Sequence, residues 1–152
     1  MIKKVYLATD HAGFELKEKL KTHLLESGYN VKDFGANIYN KEDDYPDFIK
    51  PLAEEVAKDP DGVMGIILGY SGQGEAMTAN RYKKVRAMEY HGGNLNIIKL
   101  ARDHNDANVL SLGAGFVTEE EAKGAVNLFL ETPFDGTNRN KRHVRRIEKI
   151  DS

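Results

Sequence analysis

The chain has 152 residues, which bounds it to one expected domain over 1–152, burying roughly two-thirds of its unfolded surface. Its 22 Lys and Arg against 24 Asp and Glu leave a net charge of −2, which gives no electrostatic case for nucleic acid or an anionic membrane as partner. No cysteine is present, so disulfides, thiolate metal sites and a cysteine nucleophile are excluded; no apolar run approaches the roughly 18 residues of a membrane span.

In chain order, Met1-Ile2-Lys3-Lys4-Val5-Tyr6-Leu7 is basic, but Asp10-His11 cuts its apolar stretch short. It reads as a first strand, Val5–Thr9, rather than a signal peptide, and cytoplasm is the default location. Phe14–Ser27 reads as a helix, with Leu16, Leu20 and Leu24 on one face and Gly28 at its C-cap. Val31–Phe34 is a short strand and Gly35–Asp44 a polar loop. Pro46 suits the first turn of a helix running to about Lys58. Asp59-Pro60-Asp61-Gly62 turns into the apolar strand Val63–Leu68.

A short helix to about Arg81 follows, then a strand over Val85–Glu89, a helix over Leu95–His104 and a strand over Val109–Leu112. Thr118-Glu119-Glu120-Glu121 is a capping box opening a helix to about Leu130, and a basic helix covers Asn140–Ile150. This alternation predicts an α/β fold: a parallel five-stranded sheet with helices on both faces. Ligands of open α/β sheets bind beyond the carboxyl ends of strands, where the strand order reverses. The first and third strands end there in polar clusters.

The second of these clusters is Gly69-Tyr70-Ser71-Gly72-Gln73-Gly74-Glu75. Glycines let backbone N–H groups converge on a ligand, and a helix start adds positive potential, so the loop suits an oxyanion or phosphate. A tight turn that needs glycine for geometry alone explains it equally well. Glu75 is a base if burial outweighs the helix dipole, and otherwise an ordinary acidic first-turn residue. Asp10-His11 reads either as a pair binding sugar hydroxyls or as a capping Asp with a surface His. His104-Asn105 ends a helix, where a His interacts with the dipole and an Asn ends the helix. Arg142 and Arg146 share a helix face, with His143 beside the first; the group suits a phosphate or is a solvated basic face.

Taken together, Thr9-Asp10-His11-Ala12-Gly13-Phe14, Asp44-Tyr45-Pro46-Asp47, Gly72-Gln73-Gly74-Glu75 through Ala79-Asn80-Arg81, Arg102 through Leu110, and Arg142-His143 resemble the type B ribose-5-phosphate isomerase family. That family also contains the galactose-6-phosphate isomerase subunits. The resemblance runs in register from about residue 3 to residue 150. It implies a Rossmann-like three-layer sandwich and reversible aldose–ketose isomerisation of a sugar phosphate through an enediolate. It implies no metal, no organic cofactor, and homodimers whose active sites draw on both subunits.

Many members carry a cysteine where this chain has Gly69, and another branch uses a glutamate at the end of the glycine loop. This chain resembles the glutamate branch. The resemblance makes Glu75 the base, Ser71 a proton relay and His104 the ring-opening residue. Asp10, His11, Tyr45 and Asn105 would hold the sugar together with the loop from Gly69 and Tyr70 to Gly72, Gln73 and Gly74. Arg142, His143 and Arg146 would hold the phosphate. One departure stands out: Gly115 occupies the place of an arginine usual in the anion site, and Arg139 is the candidate replacement. Tyr70 and His91-Gly92-Gly93-Asn94 also differ from the commonest members. The preferred sugar therefore stays open between ribose 5-phosphate and a six-carbon sugar phosphate such as allose or galactose 6-phosphate. A non-catalytic binding protein on the same fold is the other alternative.

Overall fold

The computed structural model describes residues 4–152, so Met1–Lys3 of the N-terminal reading lie outside the described residues. Five strands alternate with six α-helices: β1 (Lys4–Thr9), α1 (Phe14–Glu26), β2 (Asn30–Asp33), α2 (Pro46–Lys58), β3 (Val63–Gly69), α3 (Gln73–Ala79), β4 (Ala87–Tyr90), α4 (Asn96–Asn105), β5 (Val109–Gly113), α5 (Glu119–Glu131) and α6 (Lys141–Ile150). All strand pairs are parallel, in the order β2-β1-β3-β5-β4. β3 and β5 are buried along their whole length, whereas the edge strands β2 and β4 are mostly half-exposed.

The helices form the outer layers because their apolar faces match the two sides of the sheet. Leu20 and Leu24 of α1, Ile98 of α4, and Ala122, Val126 and Phe129 of α5 bury one side against Val5, Leu7, Ile66 and Leu110. Ile49, Leu52, Ala53 and Val56 of α2, at helical spacing, cover the other side with Ala79 of α3 against Ala8, Ile67 and Val109. Burying each such Leu or Ile contributes about 1.5–3 kcal/mol.

The helix ends follow the sequence signals closely. Gly28 adopts φ +87° after α1, and the Gly28 and Tyr29 amides return to Leu25 and Leu24 carbonyls at 3.1 Å each, a Schellman turn. Thr118 and Glu121 close the capping box on α5. Asp106, not Asn105, ends α4, with a left-handed φ of 45°. β4 begins at Ala87 rather than Val85, since the Arg86 amide is taken by the Asn108 side chain at 2.8 Å. Val85 is apolar because it is buried with the α2 side chains, not because it lies in a strand.

Chain direction reverses between β1 and β3: the chain goes out to β2, then returns past β1 to build β3 on its other side. That is the crevice where α/β sheets bind ligands. The loop leaving β2 is pinned over this edge. Thr9 and Gly35/Ala36 exchange two backbone bonds of 2.7 Å, and the fully buried Lys17 donates to Asp33 Oδ2 (2.8 Å) and the Ala36 carbonyl (2.7 Å).

Candidate active site

At the switch point, Glu75 is drawn inward and only 4% exposed. Its carboxylate occupies the space that a side chain at position 69 would take, so a Cβ on Gly69 collides with it. Burial pushes its proton affinity above the ordinary carboxylate range; its own amide N–H opposes this and the Asp10 charge adds to it. Desolvation therefore outweighs the helix start, the condition the base reading requires.

The loop around it is shaped by contacts only glycine allows. Gly72 turns through φ +79°, and its carbonyl accepts a 2.6 Å bond from the buried Ser111 hydroxyl. Gly74 lies under the Tyr45 ring, whose hydroxyl would meet any added Cβ. The Ser71 hydroxyl accepts from the Gln73 amide at 3.3 Å. First-turn amides of a helix have no acceptor within it; here the Gln73 amide is taken by Ser71 and the Glu75 amide by its own carboxylate.

Asp10 closes the opposite wall. Only 7% exposed, it caps a 3₁₀ turn at His11–Gly13 by accepting from the Ala12 amide at 3.0 Å, and burial pushes its proton affinity up. His11 beside it is held by Asp43, whose Oδ1 accepts from both the His11 amide (3.0 Å) and Nδ1 (2.6 Å). Asp10, His11 and Asp43 bring donor atoms within 4.8 Å of one another. Nδ1 and Oδ1 are committed to each other, which makes the trio a hydrogen-bonded network rather than a coordination sphere.

Asp10, His11, Tyr45, Ser71, the glycines and Glu75 thus share the carboxyl edge. Tyr70 and Gln73, in the same loop, lie there too, whereas His104, Asn105, Arg142, His143 and Arg146 do not join them. A helix runs antiparallel to the strands it connects, so α4 starts at the carboxyl edge and delivers His104 and Asn105 to the amino edge, where β5 begins. Side chains confirm the position. Arg86, just ahead of β4, donates to the Asp106 carbonyl at 2.8 Å, and Asn108 reaches the Lys84 carbonyl at 2.8 Å. There His104 stacks on His143, with ring centroids 4.5 Å apart and planes at 7°. His143 is pushed below the usual histidine range by desolvation and by the charges of His104, Arg146 and Arg142. Arg142 and Arg146 are exposed.

Arg139 belongs to the same amino-edge group, paired with Asp103 at 3.0 Å, so within one chain it does not substitute for an arginine at 115. The Tyr70 ring fills that place instead, lying against Gly115 so closely that a Cβ there would clash, and edge-on to Phe116 at 5.4 Å. Sequence reading also missed Asp43; the acidic run Glu42-Asp43-Asp44 looks like any polar loop.

The Ribose/Galactose Isomerase family profile matches residues 5–150. The chain belongs to this family. It is 40% identical over 146 residues to ribose-5-phosphate isomerase B of Mycolicibacterium paratuberculosis, covering 95% of this chain and 87% of that protein. The crystal structure of ribose-5-phosphate isomerase B from Mycoplasma genitalium, with bound ribulose-5-phosphate, superposes with a TM-score of 0.90 at 39% identity, over 99% of this chain and 95% of that one. The ribose 5-phosphate isomerase of Thermotoga maritima gives 0.87 at 41% identity, over 98% and 97%. The three-layer α/β architecture expected from the sequence is therefore the fold of this isomerase family. No helix among the described residues is long and apolar enough to cross a membrane.

Proposed function

We propose that the chain interconverts ribose 5-phosphate and ribulose 5-phosphate through an enediolate, with Glu75 as the base, in a site shared by two copies of the chain. The observation that carries the chemistry is the buried Glu75 carboxylate, its proton affinity raised, seated on Gly69 beside the loop amides. A relative 39% identical that holds ribulose-5-phosphate supports the substrate.

The shared site is supported by distance. β3 alone spans Val63–Gly69, on the order of 20 Å at ~3.3 Å per residue, and it separates the edge bearing Glu75 from the edge bearing His104. No five-carbon sugar phosphate bridges that gap. A second copy, related by a two-fold axis, can bring its amino-edge cluster onto this carboxyl edge, and the reverse contact forms at the same time. Ile97 and Leu100 add support: both are exposed, 53% and 37%, and they lie on the face of α4 that continues to His104.

In the shared site, His104 of the partner subunit assists opening of the furanose ring, while Asp10, His11, Tyr45 and the partner's Asn105 hold the sugar. Glu75 takes the C2 proton, and the electron pair moves onto the carbonyl oxygen as the enediolate forms. The loop amides stabilise that charge; a single such donor is worth about 3 kcal/mol of barrier. Ser71 passes a proton between the two substrate oxygens, and Glu75 returns its proton to C1. Arg142, His143 and Arg146 of the partner subunit hold the phosphate. Each step is a proton transfer that these groups supply themselves. Membranes retain phosphorylated sugars, which supports a cytoplasmic setting.

Turnover of ribose 5-phosphate measured beside allose 6-phosphate and galactose 6-phosphate tests the reading. We expect the pentose to be preferred. Preference for a six-carbon substrate would mean that the Tyr70 ring over Gly115 has recut the pocket, and no turnover of any of the three would leave a binding protein.

A further inference from the structure

Asp43 has no role in the chemistry above, yet it is built into the site more firmly than most surface acids. Its side chain is 9% exposed, although every other residue of 37–44 is open to solvent. One oxygen, Oδ1, accepts from both the amide and the ring of the same residue, His11, at 3.0 and 2.6 Å. The two bonds fix both where the His11 backbone sits and how its ring is turned. The other oxygen, Oδ2, is buried without a hydrogen-bond partner among the described residues. A buried carboxylate left half-unpaired persists where a positive charge lies against it.

A carboxylate can only accept, so His11 Nδ1 carries the hydrogen of the 2.6 Å contact. Nε2 is then the ring nitrogen left for a ligand, and its state depends on the charge of the ring. The groups that face the ring from neighbouring elements are nearly all acidic. Asp43 and Glu42 come from the β2–α2 loop and Asp10 from the end of β1, while Tyr39 lies edge-on at 6.2 Å. The Asp43 hydrogen bond, with the Asp10, Asp43 and Glu42 charges behind it, holds the imidazole above its ordinary range; desolvation opposes this. The ring is 31% exposed, so a substrate can reach it.

We propose that Asp43 is a positioning residue for this isomerase: by holding the His11 amide and Nδ1 on one oxygen it locks the ring, so that Nε2 is presented as a hydrogen-bond donor to an oxygen of the bound sugar phosphate. The role rests on the isomerase reading for its substrate, but not for its geometry. Asp43 acts through His11 and makes no contact with the reacting carbons.

The test is the histidine titration of the full-length protein followed by NMR, with a His11→Asn variant to assign the His11 signal. In the native chain His11 should titrate above the ordinary histidine value. In Asp43→Asn it should move down, and in Asp43→Glu, which keeps the charge, it should stay raised. Kinetics supply the second readout: Asp43→Asn should raise KM for ribose 5-phosphate about tenfold, the loss of one hydrogen bond to a charged group, with a smaller change in kcat. The high-pH fall of kcat/KM should begin at lower pH in that variant, because the imidazolium is lost sooner as pH rises. The same His11 titration in native and Asp43→Asn protein would overturn the proposal. So would a native His11 titrating at or below the ordinary value, a result that needs no variant to fold. The titration requires no turnover, so its failure is distinct from failure of the isomerase reading, which native turnover reports.

Discussion

Glu75→Gln should turn over ribose 5-phosphate about a thousandfold more slowly than the native chain, within the 10²–10⁴ range for loss of a positioned base, with little change in KM. Gln keeps the shape of the buried group against Gly69 and removes only its ability to take the C2 proton. Since burial raises the proton affinity of Glu75, kcat in the native chain should fall as pH drops through that raised value. The stability effect has the opposite sign. Between its unfolded and raised folded values, Glu75 binds more protons in the folded chain than in the unfolded one, so its contribution to stability declines as pH rises through that window. Above that window the ionised group is a cost, and there Glu75→Gln should melt at or above the native temperature. Slow turnover in a protein at least as stable excludes misfolding as the cause, and near-native turnover would remove Glu75 as the base.

Gly69→Ala should abolish most activity while leaving the fold intact. The backbone at Gly69 is ordinary strand at the end of β3 and has no left-handed φ, so alanine fits the main chain. The three atoms nearest to an added Cβ all belong to the Glu75 carboxylate, the far end of a flexible side chain. The methyl group therefore displaces the base rather than the sheet. A kcat loss of at least about a hundredfold, with a cooperative melt close to native, is the expected pair of results. The same geometry makes a side chain at 69 and a buried carboxylate from 75 mutually exclusive in this fold. If Gly69→Ala retained full activity, the carboxylate would not be working from the position it occupies.

The elements and the first half of the site were legible because their signals are local. Leu16, Leu20 and Leu24 mark a face, Gly28 a helix end, and Gly69–Glu75 a turn between a buried strand and a helix. What periodicity does not encode is strand order. The insertion of β5 between β3 and β4 brings Gly115 under Tyr70, a contact between residues far apart in sequence that leaves no pattern in either segment. Asp43 was hidden for a similar reason: its meaning comes from His11 across the β1–β2 edge, while locally it is one acid among three. The separation of His104 from Glu75 was implicit in the helix alternation. It becomes decisive only when the sheet shows which edge each residue occupies.

That separation makes subunit complementation the most direct test of a shared isomerase site. Glu75→Gln and His104→Ala, each expressed alone, should form poorly active homodimers. Coexpressed and purified together, they should assemble heterodimers in which one site holds both defects and the other holds none. Random assembly puts half of the chains into such pairs, so activity should recover to roughly a quarter of the native value. Recovery to that level would establish that Glu75 and His104 act on one sugar from two chains. Activity no greater than the sum of the two variants, in a preparation shown to contain the mixed species, would contradict the shared site.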